Sequence, residues 1–192
     1  LANIYLHHAL DLRFAELKKD YGEQIHLFRY ADDFIVTCSQ SRDVRGIVRV
    51  IKGWLRDRSL DFHPDKSRAV DMSNHSRSHK SKFDFLGYKI HLRAFPDNPN
   101  RFWIARQPSE SSRQRLRANL RESLSPGLSH DQAKRKVDQI WRGWSEYFRY
   151  GNSNKIFYRE CNSLRKIVCG YLRRKYRHQR RPVPWRKLYG VA

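Results

Sequence analysis

The chain has 192 residues, of which 39% are apolar and 13% aromatic, enough for one core of ordinary size or two small ones. Its formal net charge of +21 is uneven, because residues 1–100 carry 17 basic and 13 acidic side chains, whereas residues 101–192 carry 23 and 6. So basic a second half, with aromatic residues between its arginines, indicates a polyanionic partner. Nucleic acid fits better than a membrane surface, because Pro and Gly interrupt the basic segments and no long apolar run is present.

The cysteines and the first residues indicate the compartment and the extent of the chain. Cys38, Cys161 and Cys169 show neither CxxC spacing nor a disulfide pattern, so we expect core thiols in a reducing compartment. No signal or transit peptide is visible. We therefore expect a cytoplasmic, bacterial-type protein associated with nucleoprotein. The chain begins with Leu rather than Met, which indicates a piece of a longer protein.

A predicted helix over residues 1–19 leads to the stretch LFRYADDFIVT, residues 27–37. Apolar and β-branched runs on both sides of two adjacent aspartates predict a hairpin with largely buried strands and its tip at Ala31-Asp32. Paired carboxylates offer the hard oxygen ligands that Mg²⁺ prefers, and two such ions can clamp the attacking and leaving oxygens of a phosphoryl transfer. For the pair alone, a solvated turn without a catalytic role is the alternative. Phe34 and Val36 are expected on one buried strand face.

The order aromatic residue, small residue, Asp, Asp and then apolar residues resembles the YxDD signature of reverse transcriptases. The preceding LANIYLHHALD resembles the helix that ends the fourth conserved block of group II intron reverse transcriptases. The resemblance implies an RNA-directed DNA polymerase, a nucleotidyltransferase that uses Mg²⁺, an RNA template with a DNA primer, and dNTP. It implies that Asp32 and Asp33 are catalytic metal ligands and that Tyr30 and Ala31 contact the nucleotide or primer.

The segment that follows the hairpin predicts a covering helix and then a turn and strand. Residues 41–58 carry an apolar stripe at helical spacing opposite a basic face, which predicts an amphipathic helix packed on the sheet. The stripe consists of Val44, Ile47, Val48, Ile51, Trp54 and Leu55. The turn LDFHPDKSR, residues 60–68, and a strand predicted at 69–72 resemble the sixth block of the family. The resemblance implies a catalytic role near the triphosphate for Lys66, and a surface lysine is the alternative.

The run FDFLGYKI, residues 83–90, reads as one strand with a glycine inside it, which usually marks the close approach of another backbone or a ligand. It resembles the FxFLGY of the seventh block, where the family grips the primer. The resemblance implies that Leu86, Gly87 and Tyr88 bind nucleotide or primer. After a proline-containing stretch with a short strand at 102–104, the pattern becomes helical.

Three helices are predicted in the second half. The first covers residues 110–124, the second opens with a capping box at Ser129-His130-Asp131-Gln132, and the third covers about 154–178. In the third helix the inward positions are predicted to be Phe157, Cys161, Leu164, Val168 and Leu172. The expected outward positions are Arg165, Lys166, Arg173, Arg174 and Lys175.

The run IWRGWSEYFRYG, residues 140–151, resembles the core of the maturase-specific domain, domain X, of group II intron proteins. The resemblance implies binding of intron RNA to assist splicing and mobility. The residues expected to bind RNA are Arg142, Arg149, Arg165, Lys166, Arg173, Arg174 and Lys175. The expected architecture is α+β: residues 1–100 form the C-terminal part of a reverse transcriptase palm, an antiparallel sheet with packed helices. Residues 101–192 form an α-helical thumb and maturase domain.

One departure from the family pattern limits the expected activity. The first metal-binding aspartate of the family lies on an earlier strand, upstream of a Gln-Gly-Gly block, and this sequence begins after both. We therefore expect the chain alone to be inactive as a polymerase, since part of the carboxylate set and the template-gripping fingers are missing. Two alternatives stay open: an RNA-binding remnant without catalysis, and a CRISPR-associated or other bacterial reverse transcriptase with a similar thumb.

Overall fold

The computed structural model describes residues 2–72 and 81–177, and the chain divides into two compact units, Leu1–Ser81 and Lys82–Ala192. The fold is α+β with antiparallel sheets, as the sequence predicts. The polar stretch 73–80 and the end of the predicted second domain, 178–192, lie outside the described residues. Within the two described ranges, no helix is both long enough and apolar enough to cross a membrane.

The first unit packs helices against a two-stranded sheet. Its helical segments are α1 (Ala2–Leu6), a π-helical turn (His7–Asp11), α2 (Leu12–Tyr21) and α3 (Val44–Arg56), and its antiparallel strands are β1 (Ile25–Tyr30) and β2 (Asp33–Cys38). Short 3₁₀ turns at Gly22–Gln24 and Ser41–Asp43 precede β1 and α3. The core consists of Leu10, Phe14, Ile25, Ile47, Ile51 and Leu55. Helix α3 therefore covers one face of the hairpin, as its apolar stripe predicts.

The predicted hairpin is confirmed, but its strands are less buried than expected. Phe34 and Val36 lie on the same face of β2 and pack against the core, yet both are only half-buried. Val48, a member of the predicted stripe on α3, is 43% exposed. The strand predicted at 69–72 is wrong, because these residues adopt no regular structure. In the described part of the first unit the sheet consists of β1 and β2, and residues 69–72 join neither strand in a hydrogen-bonded ladder.

The second unit joins a three-stranded sheet to three helices. The strands are β3 (Lys82–Phe85), β4 (Tyr88–Ala94) and β5 (Phe102–Pro108), in the order β3-β4-β5, and the helices are α4 (Glu110–Ser123), α5 (His130–Phe148) and α6 (Asn154–Lys175). Ser129 caps α5 in the predicted capping box with Gln132. The buried side chains between the helices are Leu116, Leu120, Leu124, Ala133, Val137, Leu164, Val168, Tyr171 and Leu172.

Residues 83–90, predicted as a single strand, are a hairpin. Leu86 and Gly87 have φ values of +49° and +77°, so they form a tight turn between β3 and β4. Positive φ at both central residues is the type I′ arrangement that suits the twist of antiparallel strands. The strand predicted at 102–104 extends to Pro108, because it pairs along the whole of β4. This pairing places residues 82–94 in the second compact unit, although the palm boundary predicted from sequence lies near residue 100.

Two predicted inward positions on α6 differ in burial from the expectation. Cys161 is exposed and Phe157 is half-buried, whereas Leu164, Val168 and Leu172 are buried as predicted. The buried residues of the first turns are instead Ile156 and Glu160. The apolar stripe is therefore interrupted by a carboxylate, which binds Arg113 and Arg117 of α4.

Candidate active site and nucleic-acid interface

The two acidic residues lie at the tip of the first hairpin. Tyr30 pairs with Asp33 as the last rung of the ladder, so Ala31 and Asp32 form a two-residue turn. Ala31 has a φ of +55°, a left-handed conformation that costs a non-glycine residue about 1 kcal/mol. Asp32, Asp33 and the ring of Tyr30 are exposed. Both carboxylates are thus open to a cation from solvent.

Arg29 connects this turn to the opening helix. Its Nε and Nη2 atoms donate to the two carboxylate oxygens of Asp11 at 2.8 and 2.6 Å. Its Nη1 atom donates to the carbonyl of Ala31 at 2.8 Å and to Oδ1 of Asn3 at 3.2 Å. The hydrogen bond from Arg29 is the main reason that the pKa of Asp11 lies below its usual value. Sequence reasoning missed Arg29, and its one signal is a charged residue inside an otherwise apolar strand.

Asp32 and Asp33 offer two carboxylates to a metal ion. Among residues 2–72 and 81–177, no group of three or more His, Cys, Asp or Glu side chains is arranged to hold a metal. Mg²⁺ is usually held by one or two carboxylates and keeps several waters, with substrate phosphates as further ligands. The donor set of the turn therefore fits a Mg²⁺ ion that takes its remaining ligands from water and phosphate oxygens.

Lys66 lies in a polar turn that follows α3. Its backbone N–H donates to the carbonyl of His63 at 3.3 Å, and its side chain is exposed. Within the described residues, no hydrogen bond or ion pair joins Lys66 to Asp32 or Asp33. A role near the triphosphate therefore stays a prediction.

The turn of the second hairpin is fastened to the end of α5. The hydroxyl of Tyr88 donates to the carbonyl of Tyr147 at 2.6 Å, and the hydroxyl of Tyr147 donates to the carbonyl of Leu86 at 2.9 Å. A Cβ added at Gly87 would lie 3.4 Å from the ring of Phe148. Burial raises the pKa of the Tyr88 phenol, with the nearby Tyr147 as a second cause. The three residues predicted to touch the primer thus have partners within their own unit, and primer contact stays a prediction.

The basic residues predicted to bind RNA are exposed on α5, directly after it at Arg149, and on α6, with one exception. The exposed residues are Arg142, Arg149, Arg165, Lys166, Arg173 and Arg174. Lys175 is half-buried instead: its Nζ atom donates to the carbonyl of Leu128 and lies 5.9 and 5.8 Å from the ring centroids of Tyr171 and Tyr176. Lys175 therefore ties the end of α6 to the loop before α5, and the expectation that it points outward is wrong.

The outer face of α6 carries an open groove of about 500 Å³. Its lining residues are Asn162, Arg165, Lys166, Cys169 and Arg173. The opposite face of the helix holds the buried Leu164 and Val168. The groove is therefore a basic, solvent-facing surface of the kind that contacts phosphate groups.

The two tryptophans of the IWRGWSEYFRYG run belong to the interior side of α5. The rings of Trp141 and Trp144 stack with their centroids 5.8 Å apart, and Nε1 of Trp144 donates to Oγ of Ser112 at 3.2 Å. Both rings pack against the helical core. Arg142, between them in sequence, is exposed on another side of the helix. The helix thus combines a packing face with a basic face.

Comparison with protein families matches most of the chain in two segments. Residues 1–90 match the family model described as reverse transcriptase (RNA-dependent DNA polymerase). Residues 112–189 match the model described as group II intron, maturase-specific domain. No curated protein matches the chain. The first segment contains Asp32 and Asp33 and ends within β4, and the second contains α5 and α6.

Proposed function

Because this chain belongs to the reverse transcriptase/maturase family of group II introns, we propose that its first unit supplies metal-binding carboxylates for RNA-directed DNA synthesis. Its second unit binds intron RNA and so assists splicing and mobility. The observation that carries the proposal is the pair of exposed carboxylates, Asp32 and Asp33, at a hairpin tip within the segment that matches reverse transcriptases. The substrates are dNTP and an RNA template with a DNA primer.

On this proposal Asp32 and Asp33 hold Mg²⁺ through their carboxylates. When bound, Mg²⁺ lowers the pKa of the primer 3′-hydroxyl and stabilises the charge on the departing pyrophosphate. The exposed ring of Tyr30, with Ala31 beside it, contacts the nucleotide or the primer, and Lys66 pairs with the triphosphate. Two carboxylates alone neither position the primer and nucleotide nor stabilise the charge that develops in the transition state. The chain therefore does not extend primers by itself and acts within a longer protein.

The catalytic part is tested in the longer protein with Asp32→Ala and, as a matched control, Asp20→Ala, which removes an exposed aspartate from α2. We expect Asp32→Ala to abolish primer extension while RNA affinity stays within about twofold, because Arg and Lys contacts to phosphate dominate affinity. The control retains both properties. Primer-extension and filter-binding assays on the same preparations decide the matter. Retained synthesis by Asp32→Ala would mean that Asp32 is not a metal ligand.

The RNA-binding part is tested on the whole chain by reversing charge at Lys166, Arg173 and Arg174, which are exposed on α6. Each phosphate contact releases condensed counterions, so log affinity falls by about 0.7–0.9 per log unit of salt for each contact. We expect the triple reversal to weaken binding of intron RNA and to make this salt dependence shallower, with the helical circular dichroism unchanged.

The matched control for this reversal lies on α5. Residues 134–136 are Lys, Arg and Lys, all exposed, and their reversal changes the net charge by the same amount. If both triple variants lose affinity equally, the effect is one of overall charge rather than of the α6 face. If wild type does not prefer intron RNA to an unrelated structured RNA of equal length, the maturase role of this unit is refuted.

A second candidate function is RNA binding without catalysis. It is favoured by the concentration of positive charge in residues 101–192 and by the two-carboxylate donor set at the hairpin tip. The two proposals predict different results for the longer protein. If the protein binds RNA without catalysis, the wild type binds RNA but extends no primer, even when Mg²⁺ and dNTP are in excess.

A further inference from the structure

The turn that carries Asp32 has a backbone conformation that its sequence does not favour. Ala31, directly before Asp32, has a φ of +55°, where glycine or asparagine is the usual residue. Such strain persists where surrounding contacts determine the conformation, and it is concentrated at functional sites. The carbonyl of Ala31 accepts a hydrogen bond from Nη1 of Arg29 at 2.8 Å. That bond connects the strained residue to a side chain that is held in place elsewhere.

Arg29 is itself held by a paired hydrogen bond from Nε and Nη2 to Asp11, at 2.8 and 2.6 Å. Nδ1 of His7 lies 3.2 Å from the same carboxylate. The side chains of Arg29 and Asp11 are 16% and 25% exposed, so the pair is partly shielded from water. A two-point pair of this kind fixes orientation as well as charge and is stronger than a surface ion pair. Asp11 also ends the π-helical turn His7–Asp11, a rare local geometry that occurs often at functional sites.

We propose that Arg29 and Asp11 are positioning residues for the cation site, which hold the Ala31 turn so that Asp32 and Asp33 present their carboxylates to one ion. The inference rests on the proposed function, since it explains why the turn that carries the proposed metal ligands is held in one conformation. The competing explanation is an ion pair that stabilises the first unit and has no influence on the two carboxylates. The two explanations predict different results for a variant that keeps the positive charge at position 29 but loses the planar geometry of the guanidinium.

Arg29→Lys makes that change, because a lysine ammonium keeps the charge but lacks the planar fork that reaches Asp11 and the turn together. The matched control is Arg13→Lys, which alters another Arg–Asp pair of the first unit, formed with Asp57 at 3.0 Å. Asp11→Asn serves as a second variant that disturbs the same network while keeping the shape of the side chain. All variants are prepared as the whole chain and compared where circular dichroism shows them folded.

Two measurements decide between the explanations. Electron paramagnetic resonance gives the affinity for Mn²⁺, used as a probe for the Mg²⁺ site, with Asp32→Asn as the reference for loss of a ligand. Nuclear magnetic resonance gives the hydrogen-exchange rates of amides at the end of the β1–β2 ladder, Asp33 above all, which pairs with Tyr30. Since a hydrogen bond to a charged group contributes about 1.5–3 kcal/mol, we expect Arg29→Lys to weaken Mn²⁺ binding and to speed amide exchange about tenfold or more. Asp11→Asn moves both in the same direction, and Arg13→Lys leaves both within about twofold.

The positioning role is overturned if Arg29→Lys and Asp11→Asn bind Mn²⁺ as wild type does and keep its exchange rates, whatever happens to their melting temperatures. That result would mean that Arg29 and Asp11 form an ion pair with a structural role only. A different result tests the proposed function: if wild type and Asp32→Asn bind Mn²⁺ equally, Asp32 is not a ligand. The exchange rates then still decide whether Arg29 orders the turn.

Discussion

The first prediction concerns Glu160, the fully buried carboxylate of α6. Its Oε1 accepts from Nε of Arg113 at 2.6 Å, and Nη1 of Arg117 lies 3.3 Å from both of its oxygens. Both arginines also bind Glu110, at 2.7 and 2.8 Å. Glu160→Gln keeps the volume and removes the charge. Breaking a buried pair costs about 3–5 kcal/mol, and we expect about 3 kcal/mol because Glu110 continues to balance the arginines.

Urea unfolding measured by tryptophan fluorescence tests this value, since four of the five tryptophans lie in the second unit. The matched control is Glu146→Gln, which breaks an exposed pair with Arg149 on the same unit and should cost far less, because water screens an exposed pair. A Glu160→Gln variant within about 0.5 kcal/mol of wild type would refute the argument that the carboxylate holds α4 to α6. An equal loss of unfolding free energy in Glu160→Gln and Glu146→Gln would refute it as well.

Three further predictions concern single contacts. Gly151→Ala should destabilise the second unit by about 1–3 kcal/mol in the same unfolding assay, because the added Cβ would lie 2.8 Å from the backbone oxygen of Arg106. Tyr88→Phe should cost about 1 kcal/mol, because it removes the 2.6 Å hydrogen bond to the Tyr147 carbonyl. For the first unit, the pKa of Asp11 is depressed in the folded state, so its stabilising contribution is complete above about pH 4 and is lost as the pH falls through the folded value. The difference in unfolding free energy between wild type and Asp11→Asn should therefore shrink as the pH falls. A difference that stays constant from pH 5 to pH 2 would contradict this.

The first hairpin could be predicted because its information is local. Apolar and β-branched runs on both sides of Asp32 and Asp33 predict the strands, and a two-residue turn is the shortest connection between them. The same is true of the capping box at Ser129, where side chain and backbone three residues apart satisfy each other. Each of these features depends on residues within one turn or one strand pair.

Other features depend on partners that are distant in sequence. Leu86-Gly87 lacks the Asn-Gly or Asp-Gly signal of a tight turn, and only the pairing of β3 with β4 shows that the chain reverses there. Helical spacing places Lys175 on the outer face, but Leu128 supplies a carbonyl that draws it inward. Arg29 bonds to a helix 18 residues away, so no local pattern indicates its role.

The position of Glu160 also affects the surface of α6 that we propose for nucleic acid. Glu160 is the sole acidic residue between residues 154 and 175, and it is buried against α4, so the described outer face of the helix carries basic side chains without a competing carboxylate. The same network turns Arg113 and Arg117 inward to Glu160, which removes their charge from contact with phosphate. The packing of α4 against α6 thus decides which basic side chains face solvent, and the amino-acid composition alone does not show this. The net charge of the second half therefore overstates the number of cations that RNA can reach, and the salt dependence of binding should not include Arg113 and Arg117.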